Sequence, residues 1–428
     1  MLTAPLPNAT GSVPEARSWS DALLASLPAS SEGPLALQQS RCRSLLSASP
    51  MPSRREEDWR FTDLAPLLAV APRPLPVAAP PSLPTAEGSL RLVLDGGSDP
   101  LAGVRLPDGI VPLSAAELEQ HFGTTTHGSA PAVDRPEAWP VVLNGAVAPR
   151  MLALRVRGPV APVLELVCDA GSAEGVQALR VLLLLDPGVS LQLLQVHRSA
   201  GGNLTSIVVE THLAAGARLC HGLLAQGSES AVLLAHLAVD QQPGSEFSLV
   251  SASSGWGLIR LEPRVVQSDG RALTRLRSLQ RVEGRQIADT HSQVSFHGTE
   301  GRLDQLHKVV ADGAGRSVFN GAVRVPRQAQ RTDAAQLSRS LLLSDRARVD
   351  TKPELEIVAD DVRCTHGATI SRLQHDELFY LRSRGIAADL AARLLLRGYC
   401  EEVLRELPVA AAVWQPLDGK PAPEADAP

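Results

Sequence analysis

At 428 residues, with 44% hydrophobic and 20% charged side chains, the chain is long for one compact domain, and a large core with smaller appendages is expected. A net charge of -5 argues against a nucleic-acid partner, and no run of about 18 uncharged apolar residues offers a membrane span. Cys42, Cys168, Cys220, Cys364 and Cys400 contain no C-x-x-C pair and residues Met1 to Ser18 lack a basic start followed by an apolar run, so a soluble, untargeted, cytoplasmic chain is expected.

From Trp19 to about Leu68, leucines 23, 24, 27, 37, 45 and 46 recur at helical intervals, and Pro52 breaks the pattern before a charged cluster. Residues 1–71 are therefore read as a helical domain. Pro72, Pro74, Pro76, Pro80, Pro81 and Pro84 forbid a helix interior, which makes residues 72–90 an extended linker and a domain boundary. Beyond it come short apolar runs bounded by glycine, among them Leu182 to Leu185, Ile207 to Val209, Val232 to Leu234 and Phe247 to Val250, all read as strands.

Pro187-Gly188-Val189-Ser190-Leu191, Ala215-Gly216-Ala217-Arg218-Leu219 and Pro243-Gly244-Ser245-Glu246-Phe247 share a small-Gly-x-x-apolar pattern. Their glycines are 28 positions apart (188, 216, 244), which is an internal repeat. Strands and turns at this period, with no helical spacer, suit a β-solenoid whose coils stack; a stacked antiparallel sandwich is the alternative. The pattern continues loosely through Asp269-Gly270, Glu283-Gly284 and Asp312-Gly313 to about Thr369, giving a mainly β core over residues 91–375. After Asp376 the period becomes helical, with Leu378, Leu381, Ile386, Leu390, Leu394, Leu404 and Leu407 on one stripe and Gly385 between two helices. Residues 376–410 form this carboxy-terminal domain, and the Pro-rich tail 411–428 is read as disordered.

The three lysines, Lys308, Lys352 and Lys420, fit no G-x-x-x-x-G-K-[ST] phosphate cradle, and neither a G-x-G-x-x-G loop nor a G-x-S-x-G elbow is present. His291, His297 and His307 lie in one strand-rich stretch, but separations of 6 and 10 match no metal site and they read as polar solenoid surface. The sharpest local feature is Asp360-Asp361-Val362-Arg363-Cys364-Thr365-His366-Gly367-Ala368-Thr369. In a strand, Cys364 and His366 leave the same face and could reach one metal or cluster edge. An iron-sulfur centre usually takes four protein ligands, so a partner would supply the remainder. The structural alternative is Cys364 packed inside a coil and His366 capping a turn ahead of Gly367.

Gly321-Ala322-Val323-Arg324-Val325, the Gln328 to Gln336 stretch, Ser338-Arg339-Ser340-Leu341-Leu342-Leu343-Ser344 and Thr351-Lys352-Pro353-Glu354-Leu355-Glu356-Ile357 resemble the core of the SufB/SufD family of iron-sulfur cluster assembly scaffold proteins. The resemblance runs on through Ala359 to Thr369 and Leu378 to Ile386, and an upstream match is carried by Arg54-Arg55-Glu56-Glu57-Asp58-Trp59-Arg60-Phe61-Thr62-Asp63-Leu64. Read structurally, that upstream segment is a charged turn with Trp59 and Phe61 packed on the solenoid end. The His-Gly-Ala-Thr form at His366 to Thr369 is similar to the SufD branch, whereas SufB typically carries His-Glu-Ala there and is longer.

The resemblance implies a right-handed parallel β-helix core with helical amino-terminal and carboxy-terminal domains. It implies a non-catalytic scaffold that pairs with SufB through the carboxy-terminal end of the β-helix, homodimerises when isolated, and docks a SufC ATPase through Tyr380, Leu381, Ile386, Leu390 and Leu394. No cofactor is expected on the chain alone. It implies instead a transient iron-sulfur cluster at the SufB interface, with His366 as a metal ligand shared with SufB and Cys364 beside it. A SufB-type cluster-bearing subunit, a self-associating structural solenoid and a carbohydrate-active enzyme using Asp360, Asp361, Glu354 and Glu356 remain the alternatives.

Overall fold

The computed structural model describes residues 16–29, 34–48, 51–76, 83–128, 138–160 and 162–415. The Pro-rich residues 77–82, most of Met1 to Ser18, and the tail from 416 onward lie outside them.

The strands run in chain order as Ser89–Val93 (β1), Ile110–Pro112 (β2), Leu152–Val156 (β3), Val163–Asp169 (β4), Gly175–Leu185 (β5) and Ser190–Arg198 (β6). Next come Asn203–Leu213 (β7), Arg218–Gln226 (β8), Val232–Gln241 (β9), Glu246–Ser254 (β10), Leu258–Gln267 (β11) and Leu273–Val282 (β12). The last are Ile287–Phe296 (β13), Arg302–Ala311 (β14), Arg316–Val325 (β15), Asp333–Leu342 (β16), Arg348–Ile357 (β17) and Arg363–Ser371 (β18). Helices are Ala16–Ser26 (α1), Pro34–Ala48 (α2), Ala65–Leu68 (α3), Ala115–His121 (α4), Thr124–Gly128 (α5), Trp139–Val147 (α6), His375–Ser383 (α7) and Ala388–Leu404 (α8).

Two nine-stranded sheets face each other. The first is ordered β1-β4-β6-β8-β10-β12-β14-β16-β18 and the second β2-β3-β5-β7-β9-β11-β13-β15-β17. Apart from the antiparallel pair β2 and β3, neighbours are parallel and in register, so each coil lays one strand on each sheet. The fold is a mainly β parallel solenoid with helices at both ends.

The 28-residue repeat is one coil. Gly188, Gly216 and Gly244 have φ of 71°, 68° and 72°, a region that disfavours a Cβ, and their N–H groups donate along one edge to the carbonyls of Ala215, Pro243 and Arg271. From the fourth turn, where Gly270 (φ 77°) still precedes it, the donor position passes to Arg271, Glu300 and Arg331 (φ 51°, 62° and 58°), whose N–H groups continue the ladder. Gly284 and Gly313, read from sequence as the same repeat, instead stack on the opposite edge, where a Cβ on Gly313 would come within 2.9 Å of the Gly284 nitrogen. Strand alternation in fully buried sheets carries no label for which edge a turn serves.

Inside the coils a single cluster of leucine, valine and isoleucine fills the early turns, and Leu101, Val104 and Leu106 pack on it from the loop before β2, closing the amino-terminal end. The described residues between 16 and 70, together with α6, cover the outer face of the second sheet, with Trp19, Leu23, Leu67 and Leu143 against Val176, Leu204, Leu234 and Leu258. Trp59 therefore lies on the flank rather than on the solenoid end, edge-on to Trp139 at 6.2 Å. Helices α4 to α6 fall in a stretch read from sequence as part of the β core. The α6 segment Trp-Pro-Val-Val-Leu-Asn-Gly-Ala-Val is buried at every position, so it shows no polar face to betray a helix. Its Asn144 donates to the carbonyls of Leu179 and Ser206, both at 3.0 Å.

The outer face of the first sheet is covered by the second half of α8 and by the turn Val409–Trp414. Ala411 and Trp414, assigned above to a disordered tail, are buried there. The Pro-rich segment does run extended where described: Leu75 donates to the Val176 carbonyl at 2.8 Å and Pro74 bridges to β5.

Candidate functional site at the open end of the solenoid

Among the described residues no loop plugs the carboxy-terminal end as one plugs the amino-terminal end. β17 and β18 are the last strands of their sheets, each paired on one side only, and most of β18 is exposed, with Ile370 57% accessible. Cys364 and His366 are both on β18, in register with Ala334 and Gln336 of β16. Ala334 and Cys364 pack on the interior cluster, so the face that Cys364 and His366 share is the inner one. Gly367 sits within the strand, so His366 caps no turn. Burial, helped by the charge of Asp333, pushes the Cys364 thiol above its ordinary range. It is a protonated thiol at neutral pH, not a primed nucleophile. His366 stays exposed at the mouth.

Beneath this mouth the interior turns polar. Gln336 Nε2 donates to Gln305 Oε1 at 2.9 Å, and Gln305 Nε2 donates to Ser292 Oγ at 2.7 Å. His307 shares a 2.6 Å hydrogen bond with Ser278 Oγ and stacks on Phe319 at 4.4 Å, and burial pushes it down to about 3. Gln336 Oε1, Ser338 Oγ, Ser340 Oγ and His307 Nε2 are buried without a hydrogen-bond partner. Among the described residues no three His, Cys, Asp or Glu side chains converge as a metal site. This end thus offers two soft or borderline donors, Cys364 and His366, over a neutral polar floor, fewer than the four ligands an iron-sulfur centre usually takes.

The other candidates separate. His291 lies on the outer face of the second sheet, 3.0 Å from Asp289, His297 is exposed, and His307 is interior; two of the three are buried, not surface. Cys220 and His221 face opposite ways, His221 inward onto Gln195 at 3.0 Å. Cys168 is interior, and burial pushes its thiol up to about 12. Cys42 is buried under the amino-terminal helices, and Cys400 is half-buried on α8. Glu354 is tied to Lys352 and Asn320 and Glu356 to Arg324, so they do not converge with Asp360 and Asp361 as a carboxylate pair.

The leucine stripe of the carboxy-terminal helices divides in two. Tyr380, Leu390 and Leu394 are 58%, 43% and 44% exposed, with Leu381 and Ile386 half-buried beside them, whereas Leu404 and Leu407 pack on the solenoid. Between these halves Lys308 clamps α8, donating to Glu402 and to the Tyr399 carbonyl, both at 2.6 Å, with its Nζ 3.8 Å from the Tyr399 ring centre. Sequence reasoning missed this clamp. It also missed a buried ionic seam on the second sheet, where Arg260 pairs with Glu262 and Asp289 beneath the Trp59 ring at 3.8 Å. Burial would raise the Glu262 carboxyl, but Arg260 and His236 hold it well below the usual range. Charged residues alternating along a strand read as a solvated face until a cover is known.

Residues 168–399 match the family model for the SUF system FeS cluster assembly, SufBD core domain. An iron-sulfur cluster assembly SufBD family protein of Synechocystis sp. is 32% identical over 403 residues, 86% of each chain. Protein ABCI7, chloroplastic, of Arabidopsis thaliana is 32% identical over 92% of this chain and 86% of its own. Iron-sulfur cluster assembly protein SufD of Escherichia coli is 38% identical over 133 residues, 31% of each chain. The match covers the coils that build the open end, and with it the fold and the sequence agree: the chain belongs to the SufBD family of iron-sulfur cluster assembly proteins.

Proposed function

We propose that this chain is a SufD-type, non-catalytic scaffold subunit acting in the cytoplasm, pairing with SufB through β17 and β18 and docking a SufC ATPase through α7 and the first half of α8. The observation that carries this is the difference between the two ends: a loop plugs one, while the other leaves edge strands, Ile357, Val358, Ile370 and the Cys364/His366 pair uncovered. Unpaired strand edges are templates for another chain. In this reading a cluster forms transiently at the junction, with His366 as its ligand from this side, Cys364 beside it, and the other ligands from SufB. Isolated chains cover the same edge by homodimerisation. The exposed Tyr380, Leu390 and Leu394 are free for SufC because the clamp at Lys308 holds only the second half of α8.

Co-expression with SufB and SufC, with recovery on a tag at the amino end, tests the reading. Both partners are expected at fixed stoichiometry, and Leu390→Asp with Leu394→Asp should lose SufC alone, by at least tenfold, with SufB retained. Recovery of no partner would leave the self-associating solenoid. A stable cluster reconstituted on this chain by itself would favour the SufB-type subunit.

A further inference from the structure

A histidine that ligates metal presents one ring nitrogen and keeps its proton on the other, and the acceptor that holds that proton decides which. On the inner face of the first sheet, Gln305, Gln336 and His366 are successive in-register partners on β14, β16 and β18. The two glutamines form a directed chain: Gln336 gives its amide N–H to Gln305, and Gln305 gives its own to Ser292. That direction leaves the carbonyl of Gln336 over. Gln336 Oε1 is buried and accepts nothing, although its neighbour toward the mouth is an imidazole with an N–H to donate. Gly321 opposite leaves room for this amide, since a Cβ there would lie 2.8 Å from Gln336 Nε2. A buried orphan acceptor is destabilising unless something uses it.

We propose that Gln336 is the positioning residue for His366: its Oε1 accepts the ring N–H of His366, fixing one tautomer and aiming the free ring nitrogen out of the solenoid mouth. This deepens the reading of His366 as the cluster-facing residue and rests on it for its consequence, but the tautomer itself is a property of the chain alone.

The test is nitrogen NMR on the full chain with 15N-histidine, the His366 signals identified by their loss in His366→Ala. The wild type should show one dominant tautomer at pH 8, Gln336→Leu a mixture, and Gln336→Glu, which keeps the acceptor, the wild-type pattern. Identical His366 ring shifts in wild type and Gln336→Leu would overturn the proposal. Should Gln336→Leu fail to fold, Gln305→Leu removes the acceptor that orients the Gln336 amide and should broaden the same signals, with unchanged shifts again counting against it. In the assembled complex, Gln336→Leu should lower cluster yield on the order of tenfold, as outer partners of ligating histidines do, with rescue by Gln336→Glu. A His366→Ala complex with full yield would remove the cluster role of His366 while leaving the tautomer result standing, so the two failures are distinct.

Discussion

The early and late coils of the solenoid share one backbone plan and differ in what they enclose. From β3 to β9 the interior holds Leu154, Leu183, Ile207 and Leu233 in close packing around one polar group of Gln195, His197 and His221, and the end is shut by Leu101, Val104 and Leu106. From β12 to β18 the inward positions of the first sheet carry Ser278, Gln280, Gln305, His307, Gln336 and Ser338, ending at an uncovered mouth. Apolar filling stabilises and polar filling with orphan atoms does not. The early coils hold the structure up, and the late coils spend part of that stability on a site.

The largest test of this contrast is acid. His197 and His221 in the early coils and His307 in the late ones are each pushed down to about 3 by burial, with His197 adding to the effect on His221. A depressed histidine binds its proton only after unfolding, so their stabilising effect is complete above about pH 6.5 and is lost as pH falls from there toward about 3, at ~1.4 kcal/mol per pH unit for each. Urea melts across that window should show this slope, flattened by two protons in His197→Asn with His221→Asn and by one in His307→Asn; a flat profile in the wild type would contradict it.

Next in size, Leu183→Ala should cost about 2–5 kcal/mol, whereas Ser338→Ala, which deletes an unpartnered buried hydroxyl, should stay within about 1 kcal/mol. Equal losses in chemical denaturation would erase the distinction between the coils. The smallest effect concerns the turns. Gly216→Ala should lose about 1 kcal/mol through strain at positive φ, while Arg271→Gly in the later ladder trades that strain for unfolded-chain entropy and should move the melting temperature by no more than about 2 °C.

These differences also mark what could be read from sequence. The coil was legible because Gly188, Gly216 and Gly244 are forced by their φ, and it blurred where Arg271, Glu300 and Arg331 took over the same conformation. That Cys364 and His366 share a face followed from alternation alone. That this face is the inner one did not, because β18 is an edge strand exposed along most of its length, and burial leaves no mark on it. The orphan atoms of Gln336 and Ser338 are likewise invisible in sequence, since an interior glutamine and a surface one are the same letter.

The seam under Trp59 carries a consequence for the order in which the molecule is completed. Each coil needs only its predecessor as a template, so strands can be laid down as they are synthesised. The amino-terminal segment cannot follow suit: Thr62 bonds Asp289 on β13 and Glu57 bonds Lys352 on β17, partners 227 and 295 residues downstream. The first part of the chain to be made is thus among the last to be seated. Its docking is complete only when the penultimate strand has arrived, so a chain stalled before β15 leaves Phe61 without Arg316 and Glu57 without Lys352, and is chemically distinguishable from a finished one.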